Sequence, residues 1–142
     1  MAVDEPMARV PDSELDFDEE LIYRHNGILF TGIGYDEMPG KGISEISYRD
    51  GMQDGVARDW YPSGKVKGES HFRENFLHGL KREFDDSGNL ISESVYEYDI
   101  LVNFVKRDAS GQVIDSFHID VDSSNYARLE RLRCDKGWPC GA

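Results

Sequence analysis

The chain of 142 residues has only two cysteines, Cys134 and Cys140, and both lie near its end. Two cysteines cannot staple a small domain, so a disulfide-rich scaffold is excluded. A chain of this length buries a core without such bonds, most simply as one domain. We therefore expect free thiols, with a terminal loop between the two cysteines as the alternative in an oxidising setting.

Long apolar runs are also absent. No stretch approaches the roughly 18 apolar residues that a membrane span needs. The first residues, 1–6, are acidic and lack the basic start and apolar centre of a signal peptide. We therefore expect a cytoplasmic protein with no membrane partner.

Basic residues are scarce. The chain has 16 Lys and Arg against 28 Asp and Glu, which gives a formal net charge of −12. Without a cationic stripe to displace condensed counterions, nucleic acid is excluded as a partner. An acidic surface instead attracts basic proteins and steers their association. The alternative is that the acidity serves solubility alone.

Signatures of catalysis are missing as well. The four histidines have no metal-ligand spacing, and neither Gly-x-Ser-x-Gly nor His-Glu-x-x-His occurs. Neighbouring carboxylates such as Asp85 and Asp86 are expected by composition on so acidic a chain. The sequence therefore predicts no catalytic residue, no metal site, no cofactor and no enzymatic activity.

What the chain does contain is a repeat with a period of 24 residues. Five kinds of position keep this step: Tyr48, Phe72 and Tyr96; Glu45, Glu69 and Glu93; Gly40, Gly64 and Gly88; Trp60 and Phe84; Gly55 and Gly79. A period between roughly 20 and 50 residues is typical of stacked repeats. The repeat is therefore the main evidence on the fold.

Each repeat unit has the pattern of a hairpin. After a turn at Gly64, residues 65–73 alternate, with Val66, Gly68, Ser70 and Phe72 on one face. The next copy places Ser92 and Ser94 inward in the same way. Because a single hairpin cannot bury its apolar face, neighbouring hairpins must stack side by side. We predict an all-β fold, a twisted antiparallel sheet of consecutive hairpin repeats with a short C-terminal helix.

The chain divides into three predicted parts. Residues 1–20 form an acidic N-terminal segment, either a loose tail or a segment along the sheet edge held by Val10, Leu15 and Phe17. Residues 21–122 form the β-repeat domain, which opens with a hairpin around Asn26-Gly27. Residues 123–142 form a helix and tail, with a cap near Ser123. We expect this helix to close the open end of the sheet.

These repeats resemble a known family. The resemblance rests on Gly27-Ile-Leu-Phe-Thr-Gly32, Tyr48-Arg-Asp-Gly-Met-Gln-Asp-Gly55, Trp60-Tyr-Pro-Ser-Gly-Lys-Val-Lys-Gly-Glu69, Phe72-Arg-Glu-Asn-Phe-Leu-His-Gly79 and Glu83-Phe-Asp-Asp-Ser-Gly-Asn-Leu-Ile-Ser-Glu93. This pattern is similar to the MORN-repeat variant and covers residues 21–117, with a last copy that lacks the second glycine of its turn. The resemblance implies MORN-like hairpin repeats and a bacterial antitoxin or immunity protein of a polymorphic toxin system.

A partner is expected to bind acidic and aromatic groups on the central repeats. The candidate partner-binding residues are Asp54, Asp59, Tyr61, Glu69, Glu74, Phe76, Glu83, Asp85, Glu93, Glu97 and Asp99. Asp54 and Glu74 are expected in turns, where loops present binding groups on a rigid frame. Phe76 is expected as an exposed apolar contact, and Trp60 as a core residue. The alternative for the acidic set is a solvated face.

Two functions follow as hypotheses. The first is an immunity protein that neutralises a cognate toxin by direct protein-protein binding through an acidic face, the toxin domain being basic, as a nuclease would be. The alternative is a structural or scaffolding MORN-like module without a toxin partner. A small hydrolase would require a pocket with converging acid and base groups.

Overall fold

The computed structural model describes residues 8–137 of the chain. In chain order its elements are β1 (Arg9–Pro11), a 3₁₀ helix (Asp12–Glu14), β2 (Leu15–Phe17), β3 (Tyr23–His25), β4 (Ile28–Leu29), β5 (Gly32–Met38), β6 (Gly42–Arg49), β7 (Met52–Trp60), β8 (Val66–Arg73), β9 (Phe76–Leu77), β10 (Gly79–Phe84), β11 (Leu90–Glu97), β12 (Ile100–Arg107), β13 (Val113–His118) and α1 (Ser124–Asp135).

Ten strands form one large sheet in the order β1-β5-β6-β7-β8-β10-β11-β12-β13, with β9 paired to β8. From β5 to β13 the paired strands are antiparallel and joined as consecutive hairpins. A small second sheet has the order β2-β3-β4. The predicted all-β sheet of consecutive hairpins with a short C-terminal helix is confirmed.

The N-terminal segment takes the second of its two predicted forms. Strand β1 pairs in parallel with β5, and β2 pairs with β3. Leu15 is buried, and it packs with Phe30 and Tyr48 in a first small core, which Val10 also contacts. Residues 9–17 are therefore part of the folded sheet edge and are held by Val10 and Leu15, as predicted. Phe17, the third side chain expected to hold the segment, is instead 64% exposed.

One end of the large sheet is built from two-residue turns. They have positive φ at both positions, as type I′ hairpin turns require, and they are Asp50-Gly51, Glu74-Asn75 and Tyr98-Asp99. Each later turn is tied to the strand of the preceding repeat. The side chain of Asn75 accepts the N–H of Gln53 at 2.8 Å, and that of Asp99 accepts the N–H of Leu77 at 2.7 Å. The same bond thus recurs one repeat later.

The other end is built from glycine turns, which explain the 24-residue glycine register. Gly64, Gly88 and Gly111 have φ of +91°, +91° and +89°. The N–H of each donates to the carbonyl oxygen three residues earlier, at 2.9 to 3.0 Å. Only glycine reaches this backbone region without a steric cost, so the turn fixes the residue type.

The repeated aromatic residues each stand opposite a glycine of a neighbouring strand. Tyr48 is paired with Gly32, Phe72 with Gly55, and Tyr96 with Gly79. An aromatic ring beside a strand glycine covers backbone that would otherwise be open, which favours this register. The alternation within β11 is also as predicted, because Ser92 and Ser94 are the buried polar residues of that strand.

The C-terminal helix packs on the sheet through a second small core. Ser123 caps the helix by accepting the N–H of Tyr126 at 3.1 Å, as predicted. Leu129 is completely buried against Tyr98, Ile100 and Ile119. The helix therefore covers the turn between β11 and β12. It does not close the edge of the sheet, because all six residues of β13 are exposed.

One prediction about the cysteines is wrong. Cys134, in the last turn of the helix, is disulfide-bonded, so it is not a free thiol. Cys140 lies outside the described residues, as do Trp138 and the rest of the predicted tail.

Candidate binding surfaces

A row of alternating charges crosses the centre of the large sheet. Strand register places Glu45, Arg58, Glu69, Arg82 and Glu93 side by side on β6, β7, β8, β10 and β11. We call these five residues the charge ladder. Nε of Arg58 lies 3.6 Å from Glu69, and Nε of Arg82 lies 2.7 Å from Glu93. The first member, Glu45, is paired with Arg9 at 3.0 Å.

The charge ladder changes the role expected of two predicted partner-binding residues. Glu69 and Glu93 lie in ion pairs with the chain's own arginines, so their negative charge is balanced on this face. The signal that could have shown this was in the sequence, because Arg58 and Arg82 are also 24 residues apart. In a sheet of repeats, an Arg register beside a Glu register predicts cross-strand pairs.

A groove beside the charge ladder brings four predicted residues together. It has a volume of about 340 Å³ and runs along β8 and β10. Its lining includes Asp59, Tyr61, Glu69 and Glu83 from the predicted set. Asp59 and Glu83 are the cross-strand neighbours of Gly68 on its two sides. Since Gly68 has no side chain, it leaves a gap between the two carboxylates, and we call this site the Gly68 groove.

Asp59 and Glu83, the two carboxylates on either side of Gly68, are both exposed. Within residues 8–137, the Asp59 carboxylate makes no ion pair or hydrogen bond. Glu83 accepts the hydroxyl of Ser92 at 3.2 Å and lies 3.9 Å from Lys81. Tyr61 is fixed by its hydroxyl, which donates to the Phe84 carbonyl at 2.8 Å. The groove offers these carboxylates to a cationic side chain. Its lining also includes the chain's own Lys67, Lys81 and Arg82, and Nζ of Lys67 lies 5.9 Å from the centre of the Tyr61 ring.

Four other predicted residues stabilise turns or the small cores. Asp85 accepts the N–H groups of Ser87 and Asn89 at 3.0 and 2.9 Å, and these bonds, chiefly the one from Asn89, lower the pKa of its carboxyl. Asp99, in the turn after β11, accepts the N–H of Leu77 in the preceding repeat. Glu97 binds Arg133 of the helix. Phe76 is packed edge-on against Tyr98, with ring centres 5.5 Å apart, and is therefore not an exposed contact.

The remaining two predicted residues meet at one turn. Glu74 lies in the turn after β8, as expected, and Lys136 approaches its carboxylate to 3.7 Å. Asp54 lies within strand β7 rather than in a turn, and its carboxylate accepts the Glu74 N–H at 3.2 Å. Asp54 therefore caps the turn of the next repeat.

An apolar cavity lies beside Trp60. It has a volume of about 460 Å³, and its lining includes Trp60, Ile43, Met38 and Pro62. Trp60 is half-buried and paired with Ile43 across the sheet, so it packs against its neighbour and also borders open space. Tyr61 lines both this cavity and the Gly68 groove.

The binding face predicted from the sequence does not include the small sheet. Residues 12–20 carry six acidic side chains and no basic one. Large apolar side chains are also exposed here: Phe17 by 64%, Leu21 by 50%, Ile28 by 73% and Leu29 by 47%. The acid density of residues 12–20 was visible in the sequence, but the exposure of the apolar groups depends on tertiary packing.

Two features are absent from the part of the chain that the structure describes. Within residues 8–137, no group of three or more His, Cys, Asp or Glu side chains is placed to hold a metal ion. In the same part of the chain, no helix combines the length and apolar character needed to cross a membrane.

Comparison with known families supports the repeat. The family described as MORN repeat variant matches residues 53–74 and 77–98. No curated protein matches the chain. The two matched segments begin 24 residues apart and extend from β7 to the turn after β11, so they coincide with two successive hairpins of the large sheet. The chain therefore contains two MORN repeats of the variant type.

Proposed function

We propose that this protein is an immunity protein, which neutralises a basic cognate toxin by binding it directly. The observation that carries the proposal is the formal net charge of −12 on a chain that folds into one large sheet of hairpins. Such a charge accelerates encounter with a basic domain and disfavours acidic competitors. The MORN-variant repeats supply the frame, and the resemblance to toxin immunity proteins supplies the class of partner.

The Gly68 groove is the proposed contact for basic side chains on the large sheet. Strands are about 4.8 Å apart, so Asp59 and Glu83, on either side of β8, are roughly 10 Å apart at their backbones. This gap accepts a guanidinium between two carboxylates. A toxin that cleaves nucleic acid would present such cations in its active site, because it must bind phosphates.

The experiment is co-expression with the product of the neighbouring gene. We expect that product to be toxic alone, to be neutralised by this protein and to copurify with it. The variant Asp59→Asn/Glu83→Gln should bind about tenfold or more weakly. The control Asp115→Asn/Asp122→Asn removes the same two charges elsewhere and should bind nearly normally. If the neighbouring product is harmless, or if none copurifies, the proposal is wrong.

The proposed place of neutralisation is the cytoplasm. The disulfide at Cys134 argues against this compartment, because cytosolic thiols are normally kept reduced. Trapping of thiols in intact cells, followed by mapping of Cys134, tests the point. Alkylated Cys134 would support the cytoplasm, whereas a protected Cys134 would indicate an oxidising compartment.

A second candidate, a structural module without a toxin partner, is favoured by the edge strand β13. Its Val113, Ile114 and Phe117 are 53%, 57% and 44% exposed, and an open edge of this kind pairs readily with another strand. In that case the purified protein should form assemblies that Ile114→Lys disperses. Light scattering of both forms measures this, and a monomer at high concentration would exclude self-assembly through β13.

A further inference from the structure

The small sheet β2-β3-β4 exposes more apolar surface than its size explains. Phe17 lies on β2, and Ile28 and Leu29 lie on β4, the two outer strands of this three-stranded sheet, which are roughly 10 Å apart. Ile28 and Leu29 also line a cavity of about 320 Å³ with His25 and Phe30. Exposed apolar groups concentrated in this way, within a polar rim, mark interaction sites on soluble proteins. We call Phe17, Leu21, Ile28 and Leu29 the small-sheet patch.

The small-sheet patch is held in place rather than loosely attached. The N–H of Tyr23 donates to Gly51 at 2.7 Å, and the N–H of Gly51 donates to Phe30 at 2.9 Å. The side-chain amide of Asn75 donates to the carbonyl of Leu21 at 3.0 Å, although these residues are 54 positions apart. These bonds fix the small sheet on the turn end of the large sheet, so a partner would meet a preformed surface.

The charges around the patch identify its occupant. Residues 12–20, which run through β2 into the turn before β3, carry Asp12, Glu14, Asp16, Asp18, Glu19 and Glu20, and we call these six carboxylates the acidic rim. Among the described residues, only two basic side chains lie close to these carboxylates. Arg24 is 3.1 Å from Asp18, and His25 is 3.7 Å from Glu14. The remaining negative charge opposes contact with a second copy of this acidic chain and favours a basic protein.

We propose that the small-sheet patch is a docking surface for the basic partner, whose apolar side chains cover Phe17 and Ile28 while flanking Arg or Lys residues meet the acidic rim. This inference rests on the proposed function for the identity of the partner. It adds an apolar anchor to the charge contacts of the Gly68 groove. Apolar anchors supply most of the affinity at protein interfaces, whereas rim charges mainly set the association rate.

The surface can be tested without the natural partner by nuclear magnetic resonance. The probes are the peptides acetyl-(Arg-Leu)₃-amide, acetyl-(Arg-Ser)₃-amide and acetyl-(Glu-Leu)₃-amide, titrated into the ¹⁵N-labelled full chain. We expect saturable shifts centred on residues 14–29 with the Arg-Leu peptide and about tenfold weaker binding of the Arg-Ser peptide. The Glu-Leu peptide should not bind.

Matched variants separate this inference from the proposed function. Phe17→Ser/Ile28→Ser removes two mostly exposed side chains, and of these Phe17 packs its ring against Tyr23 at 5.5 Å. The spectrum of the folded chain should persist while Arg-Leu binding is lost. Ile114→Ser on β13 is the control and should bind normally. Strongest shifts on the Gly68 groove or on β13, or equal binding of the Arg-Leu and Arg-Ser peptides, would overturn the inference and leave the toxin proposal standing.

A second test of the docking surface uses the partner that copurifies with the protein. The Phe17→Ser/Ile28→Ser variant should dissociate from it at least tenfold faster than the unmodified chain, as surface plasmon resonance measures. Unchanged dissociation would overturn the inference. A doubling of mass with concentration that Ile28→Ser abolishes would also overturn it, because the occupant would then be a second copy.

Discussion

Arg133 of the C-terminal helix binds Glu97 of strand β11 through two hydrogen bonds, 3.0 Å from Nε and 2.5 Å from Nη2. The two side chains are only 24% and 13% exposed. The hydrogen bonds to Glu97 raise the pKa of Arg133 above its ordinary value, so its guanidinium stays charged. This ion pair and buried Leu129 join the helix to the sheet.

Loss of this ion pair should weaken the fold. Arg133→Met leaves the largely buried Glu97 without its partner, and we expect the free energy of unfolding to fall by about 1–3 kcal/mol. Urea unfolding followed by circular dichroism measures the change. Arg131→Met, at an exposed position of the same helix, is the control. An equal loss of unfolding free energy in the two variants would show that the Arg133–Glu97 ion pair does not stabilise the fold.

The charge ladder should contribute modestly to stability. A double-mutant cycle of Arg82→Gln and Glu93→Gln should give a coupling energy of about 0.2–1 kcal/mol, because both side chains are partly exposed and screened by solvent. The coupling should shrink in high salt. The longer Arg58–Glu69 pair should couple more weakly. A coupling of zero at low salt would mean that the ladder sets strand register without stabilising it.

Asp85 should contribute to stability against acid. Its hydrogen bonds lower the pKa of the folded state from the ordinary 3.8, chiefly the bond from the Asn89 backbone. The contribution is therefore present above about pH 3.8 and is lost as pH falls through the folded pKa. Asp85→Asn should flatten the dependence of stability on pH below 4, as urea unfolding at several pH values shows. The control Asp86→Asn, at the exposed neighbouring residue, should leave the dependence of stability on pH below 4 unchanged.

His78 should produce a second pH dependence, nearer neutrality. Burial of the imidazole, together with nearby Arg73, lowers the pKa of His78 from 6.5. Its Nδ1 accepts the Tyr98 N–H at 3.3 Å, which requires the neutral ring. Stability is therefore full above about pH 6.5 and falls as pH drops toward the folded pKa.

The test is the unfolding free energy between pH 5 and 8. His78→Gln keeps a hydrogen-bond acceptor and should remove the slope in this range. His118→Gln on the exposed strand β13 is the control and should keep it. An unchanged slope in His78→Gln would assign the titration to another group.

Much of the fold was predictable because its determinants are local. The glycine turns need a backbone conformation that only Gly64, Gly88 and Gly111 supply easily, and strand alternation shows directly in Ser92 and Ser94. The cap at Ser123 and the Asn26-Gly27 hairpin are equally short-range. Such signals act within a few residues, so the sequence displays them.

The candidate site was less predictable, because the surroundings of each side chain are set by strand register. The sequence alone suggests that Glu69 is a free acid, but the pairing of β7 with β8 places Arg58 beside it. Phe76 reads as an exposed residue until Tyr98, from the next repeat, packs against its ring.

The amino-acid sequence by itself determined the repeat, its period, the alternation of the strands and the excess of negative charge. Only the tertiary structure decided which acidic side chains are paired within the sheet and which apolar side chains, such as Phe17 and Ile28, remain exposed. The physical reason is that turn and strand preferences are local free energies. Charge neutralisation and burial instead depend on distances between residues that are brought together only when the hairpins stack.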